Sequence, residues 1–262
     1  MKKQLSVIKI GGNVIDDPRA LELFLEHFAQ LDGGKILVHG GGKAATQLAG
    51  RLGIPQSMIE GRRITDEATL KIITMVYAGG INKNIVALLQ ADGCNAIGLS
   101  GADGNLVQAH KRTGTEQDYG FAGDVDAVND TLLQRLLEAG LTPIIAPVTH
   151  DCKGQLLNTN ADTIAQEIAQ AMSRHYETQL IYCFEKNGVL SDINDEESYI
   201  PSISPQNFAA LTGDGTVAGG MLPKLQNAFA AISKGVQSVI IGKWDKLQAL
   251  VSGTSGTKIH NG

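Results

Sequence analysis

Short, mostly apolar runs alternate along the chain with longer stretches whose apolar residues recur every three or four positions. The runs Leu5–Ile10, Lys35–Val38, Asn95–Leu99, Pro143–Val148, Gln179–Phe184 and Ser238–Ile241 predict strands, several apolar enough to be covered on both faces. Between them, Leu21, Phe24, Leu25, Phe28 and Leu31 fall on one helical face. So do Ile164, Ala165, Ile168 and Met172, and later Leu222, Leu225, Phe229 and Ile232. These stripes read as core contacts. Strands alternating with helices predict an α/β fold built on a mainly parallel sheet. Gly101–Asp126 and Asp192–Pro205 are rich in turn residues and read as hairpins or surface loops, the second hinting at a second lobe of the same sheet.

Composition narrows the partners. The 262 residues are 43% hydrophobic, enough for a sizeable core, and the net charge is −5, which disfavours a nonspecific nucleic-acid binder. No apolar run of membrane-spanning length stands out, and the N-terminus does not resemble a signal peptide. The expectation is a cytoplasmic protein that engages neither membrane nor nucleic acid. Cys94, Cys152 and Cys183 form no C-x-x-C pair and read as small buried hydrophobes. The six histidines show no ligand spacing, so no protein-held metal is expected.

Glycine placement carries the first chemical signal. Lys9-Ile10-Gly11-Gly12 ends the first strand, and His39-Gly40-Gly41-Gly42 follows the second and leads into a helix beginning near Lys43. Such strand-to-helix turns let backbone N–H groups approach an anion, aided by the positive helix end. Two of them, one bearing a lysine, favour phosphate binding over plain turns. Gly40–Ala45 also fits G-x-G-x-x-[GA], with Glu60 about 20 residues on, so a dinucleotide-binding dehydrogenase is a competing reading. It leaves Lys9, Gly11 and Gly12 without a task, and the pattern does not follow the first strand. No G-x-x-x-x-G-K-[ST] is present.

Three polar clusters add to this. Asn158, Asn160 and Asp162 alternate ahead of a periodic helix and can face one site, while Asn160 or Asp162 can cap that helix. In Gly61-Arg62-Arg63-Ile64-Thr65-Asp66, Thr65 or Asp66 looks like a helix cap and an arginine could fork onto a carboxylate. In Ala218-Gly219-Gly220-Met221-Leu222-Pro223-Lys224, a lysine stands near the positive end of a helix, unfavourable unless an anionic ligand compensates.

Together the turns and clusters, in this order and spacing, resemble the amino-acid kinase family over essentially the whole chain. The closest resemblance is to members that phosphorylate the side-chain carboxylate of an N-acylated glutamate early in arginine biosynthesis. The resemblance implies an open, mainly parallel sheet of about eight strands between helical layers, as in carbamate kinase. It implies one domain, with an N-terminal lobe of about residues 1–176 for the acylated amino acid and a C-terminal lobe of about 177–262 for ATP. Lys9 and Lys224 would neutralise the transferring phosphoryl group, and Asp162 would orient both. Gly11, Gly12, Gly41 and Gly42 would hold phosphoryl and carboxylate oxygens. Arg63 would grip the α-carboxylate, Asn158 the acylated amino acid, with Asn160 in support. Glu185, Gly188, Gly219, Gly220 and Met221 would meet the nucleotide. Mg²⁺ would be held mainly by ATP phosphates, and the enzyme would be a homodimer, expected to lack arginine feedback because the chain starts almost at its first strand.

The chemistry agrees with this inventory. A carboxylate acceptor arrives ionised and needs no general base, so the absence of a nucleophile dyad is expected. Glu185 and Lys186 depart from the family's usual Ser-Asp stretch. An acetyl cap is the default and a succinyl cap possible, Arg62 or Lys43 offering a cation. Carbamate, glutamate or UMP kinases and a non-catalytic nucleotide-binding subunit are the alternatives.

Overall fold

The computed structural model describes residues 2–59, 62–192, 194–217 and 221–262. Eight strands build the main sheet: β1 (Gln4–Ile10), β2 (Gly34–His39), β3 (Ala96–Leu99), β4 (Thr142–Ile145), β5 (Glu177–Phe184), β6 (Ser202–Ile203), β7 (Ser238–Lys243) and β8 (Thr257–Ile259). Their order across the sheet is β6-β8-β7-β5-β1-β2-β4-β3. All pairings are parallel except β7 with β8. The expected open, mainly parallel α/β architecture is therefore present.

Alternation along β1 assigns its two faces. Leu5 and Val7 join a core with helices Ala161–Met172 and Met221–Ser233, while Ile8 and Ile10 join one with helix Pro18–Ala29 on the opposite side. Lys9 continues the Leu5–Val7 face, toward the start of helix Ala161–Met172. The stripes around Phe24, Ile168 and Leu225 pack where periodicity places them; Leu222 and Phe229 are only partly buried.

The order of strands locates a crevice. From β1 the chain builds outward through β2 to β3 and β4, then returns to add β5 on the other side of β1. In open α/β sheets ligands bind beyond the carboxyl ends of strands at such a reversal. In register, Ile10 sits between His39 of β2 and Cys183 of β5, so the two glycine turns and Phe184–Glu185 emerge at one edge.

Several details differ from the sequence reading. Pro143–Val148 is broken at Ala146 and Pro147: β4 ends at Ile145, and Val148–His150 joins a four-stranded sheet with Val107–Lys111, Gly123–Val128 and Leu156–Asn158. Of the two forms open for Gly101–Asp126, hairpin or surface loop, the segment supplies a hairpin. Cys94 and Cys183 are buried, but Cys152 is exposed with a left-handed backbone. Helical residues Glu67–Ala91 are long and apolar enough, by length and composition, to cross a membrane, which the hydropathy reading missed. They bury Leu70, Ile72, Ile73, Ile85 and Leu89 against the rest of the protein, while Met75 stays exposed. Their middle, Thr74–Ile81, is π-helical, a rare form that often marks functional segments.

Candidate active site

Two lysines from distant parts of the chain meet over one aromatic ring. The Nζ of Lys9 lies 5.9 Å, and that of Lys224 4.2 Å, from the centroid of Phe184 at the end of β5. Lys9 also pairs with Asp162, Nζ to Oδ1 2.7 Å, and that oxygen has no other partner among the described residues. Asp162 stands in the first turn of helix Ala161–Met172, which Asn160 caps by accepting from the N–H groups of Asp162 and Thr163. The two caps considered for that helix are thus resolved: Asn160 caps, and Asp162 is free to meet the lysine. Lys224 makes no such pair with Asp162 among the described contacts.

A cleft of about 1020 Å³ opens on one side of this cluster. Gly11, Gly12, Gly42 and Lys43 line it on the side of the glycine turns, with Phe184, Glu185, Gly188, Met221 and Lys224 opposite. A Cβ on Gly188 would collide with Thr257 on β8, so this glycine is required for the close passage of the chain. Glu185 accepts a hydrogen bond from Asn13, which in turn accepts one from Lys43 at 2.6 Å. Lys186 is paired with Glu196 at 2.7 Å, so its charge is already matched.

A smaller pocket, about 200 Å³, shares Gly42 with this cleft and is lined by Gly40, Gly41, Gly42, Arg62, Arg63, Tyr77, Arg112, Asn158 and Asn160. Arg63 is buried and aimed. Its guanidinium donates to the Gly42 carbonyl and to Thr46 Oγ1, both at 2.9 Å, and to Gln56. Asn158 donates to Thr65 Oγ1 at 3.0 Å. Asp66, not Thr65, caps the next helix through Thr69 N–H. Gly41 is held at φ +149°, and a Cβ there would strike Ile81 and approach the Tyr77 ring at 3.1 Å, so only glycine fits.

The profile of the amino acid kinase family matches residues 4–243. The chain belongs to this family. It is 51% identical to "Acetylglutamate kinase" of Bacteroides fragilis, covering 99% of this chain and 98% of that protein. Among solved structures, N-acetylglutamate synthase from Neisseria gonorrhoeae complexed with coenzyme A and N-acetyl-glutamate superposes with a TM-score of 0.81 at 22% identity. It covers 99% of this chain, which spans 60% of the synthase. Carbamate kinase from Giardia lamblia bound to AMP-PNP superposes at 0.70 with 15% identity, covering 100% and 99%. Both likenesses concern the fold.

For this amino acid kinase, Gly11, Gly12, Gly42, Glu185, Gly188, Met221 and Lys224 line the large cleft, Gly41, Gly42, Arg63, Asn158 and Asn160 line the small pocket, and Lys9 pairs with Asp162 near the Phe184 ring. Gly219 and Gly220, with Glu60, Gly61 and Ala218, lie outside the described residues. Sequence reasoning missed Phe184, assigned only to a strand, and Arg112, assigned to a loop. Arg112 is gripped by Asp124 and stacks over Tyr119, 5.6 Å from the centroid; the same contact holds the Asp124 carboxyl below its usual range. Among the described residues no cluster of three His, Cys, Asp or Glu could hold a metal. Two ammonium groups and glycine turns beside a large cleft nevertheless fit a polyphosphate that carries its own cation.

Proposed function

We propose that this chain catalyses ATP-dependent phosphorylation of the side-chain carboxylate of an N-acyl-L-glutamate, N-acetyl by default, giving an acyl phosphate in arginine biosynthesis. The observation that carries this reading is the approach of Lys9 and Lys224 to the Phe184 ring beside a large cleft, whose Gly42 also lines a small pocket with Arg62 and Arg63. The 1020 Å³ cleft is the nucleotide side and the 200 Å³ pocket the amino-acid side. This corresponds to a C-terminal lobe of about residues 177–262 for ATP and an N-terminal lobe of about 1–176 for the amino acid.

The buried Arg63 receives the α-carboxylate, because its guanidinium is already oriented and pays little to reorganise. Asn158 receives the acylamino group, with Asn160 beside it. The γ-carboxylate lies against Gly41 and Gly42, ionised at neutral pH, so no base removes a proton. Lys9 and Lys224 offset charge that spreads over the migrating phosphoryl oxygens, with Gly11 and Gly12 donating from the backbone. Asp162 keeps Lys9 extended toward that point. Glu185, Gly188, Gly219, Gly220 and Met221 contact the nucleotide. Mg²⁺, held by the ATP phosphates and water, supplies further charge neutralisation.

Trapping the acyl phosphate with hydroxylamine tests the activity: hydroxamate must form only with ATP and an N-acylglutamate. Formation with carbamate, free glutamate or UMP instead, or none at all, would contradict it. An N-succinyl substrate is the second reading, favoured by Arg62 and Arg112, both of which line the small pocket. Steady-state comparison of N-acetyl- and N-succinyl-glutamate separates the two. The enzyme is proposed to be a cytoplasmic homodimer that engages neither nucleic acid nor membrane.

A further inference from the structure

We propose that His39 is a positioning residue whose uncharged ring turns the Gly40–Gly41 peptide so that the Gly41 N–H faces the substrate pocket. This deepens the reading of that pocket as the carboxylate site and rests on it. His39 ends β2, is fully buried, and touches none of the space left for ligands. Both ring nitrogens are engaged. Nδ1 lies 2.8 Å from the Gly40 carbonyl oxygen, and Nε2 lies 3.1 Å from Asn82 Nδ2.

The partners dictate where the proton sits. A carbonyl oxygen can only accept, so Nδ1 carries the hydrogen. The Asn82 amide is oriented from outside the pair. Its Nδ2 also donates to the Ile144 carbonyl at 3.0 Å, while its Oδ1 accepts from the Lys83 ammonium at 3.2 Å. Lys83 itself is tied to the Gly98 carbonyl at 2.8 Å. Asn82 therefore presents an N–H to Nε2, which must be bare. A second ring proton would point at that N–H from a buried position, and burial depresses the His39 pKa to about 4. Lys83 is the cation of this network, and it disfavours a second charge in the same direction.

The consequence reaches the pocket through the geometry of one amide. Among the described residues no cis peptide is present, and a trans amide points its C=O and N–H in opposite directions. Because the Gly40 carbonyl is held toward the buried imidazole, the Gly41 N–H is turned away from it, toward the cavity that Gly40, Gly41 and Gly42 line. The Gly40 N–H donates to the Ile10 carbonyl at 3.2 Å, which ties this turn to the strand bearing Lys9. A donor preset in this way loses no reorganisation when charge develops beside it.

Imidazole ¹⁵N spectra of the full-length protein test the proton assignment, with His39 identified by the signal missing in His39→Gln. The expected result is a neutral Nδ1–H ring, unchanged from pH 8 to 5.5. A ring carrying its proton on Nε2, or titrating near the ordinary value, would overturn the proposal. Kinetics test the function. In His39→Leu, kcat for acyl phosphate formation should fall about 100-fold with the KM for ATP unchanged, and His39→Gln, which keeps an amide donor, should recover about tenfold of it. A His39→Leu enzyme that melts like wild type and keeps its kcat sinks the proposal and leaves the kinase reading intact. Wild type that yields no acyl phosphate from any N-acylglutamate removes both. Should His39→Leu not fold, Asn82→Asp, which presents an acceptor to Nε2 and so draws the proton there, must lower kcat; an unchanged kcat overturns the proposal equally.

Discussion

Lys9, which is buried, and Lys224, which is exposed, bring two positive charges to the Phe184 ring, and among the described residues only Lys9 has a carboxylate partner. On the proposed reading, the unmatched charge is what attracts a phosphoryl group. Lys9→Ala and Lys224→Ala should therefore each lower kcat by about 100-fold or more, with substrate KM values changed far less. Arg63→Ala should instead raise KM for the acylglutamate, by an amount equivalent to roughly 2–3 kcal/mol, the worth of hydrogen bonds to a charged group. Equal losses of both parameters in all three variants would contradict the separation of roles. His39 adds a stability effect whose sign follows from its burial. Its folded pKa of about 4 lies below the ordinary 6.5, so the unfolded chain takes up the proton first. The contribution is complete above pH 6.5 and is lost as pH falls toward 4, reaching about 2 kcal/mol at pH 5. Denaturant unfolding should show the stability gap between wild type and His39→Gln narrowing from pH 7 to pH 5. A gap independent of pH would show that the ring is not held neutral.

At the scale of elements, the turn after β2 depends on what packs behind it. Gly41 is positioned against Tyr77 and Ile81 of the π-helical segment Thr74–Ile81. Gly41→Ala adds a Cβ where the backbone is already left-handed and where Ile81 stands, a combination worth about 1–3 kcal/mol from the backbone alone. The variant should melt several degrees lower and lose most of its activity, whereas Gly50→Ala, in open space on the helix that follows, should do neither. Equal melting temperatures and activities for the two would contradict the packing argument. Much at this scale was legible beforehand. Short apolar runs and period-3.6 patterns name six strands of the main sheet and three core helices, because burial leaves a direct trace in sequence. The π-helical stretch left none: its apolar residues carry no helical period, since part of its surface is not packed on the core. The turn-rich segment Gly101–Asp126 is visible in sequence only as hairpin or surface loop, and Arg112 within it is not visible at all, because a cation held by Asp124 and Tyr119 looks in sequence like any solvated arginine.

For the molecule as a whole, the reversal of strand order at β1 brings residues 9, 162, 184 and 224 to one crevice, although they are spread over most of the chain. Spacing alone could suggest an anion site at each turn; only the sheet order shows that the turns share it. The same topology hides the role of Phe184, which in sequence is the last residue of an apolar strand and in space is the ring beneath both lysines. The apolar residues of the long helix that are exposed or only partly buried, Met75 at 55% exposed and Val76 beside it, belong to this scale too. A homodimer is expected to bury them. Sedimentation equilibrium should give twice the mass of one chain, and Met75→Glu should shift the protein toward monomer. A monomeric wild type would contradict that expectation.

The central claim is that Lys9 and Lys224 act on one migrating phosphoryl group. The most direct measurement is a crystal structure of the full chain with a non-hydrolysable ATP analogue and N-acetyl-L-glutamate bound together. Both ammonium nitrogens should lie within about 3 Å of oxygens around the terminal phosphate, with the acceptor carboxylate on the far side of the phosphorus. A structure in which either lysine points to solvent, or in which the nucleotide occupies the small arginine-lined pocket, would contradict the account.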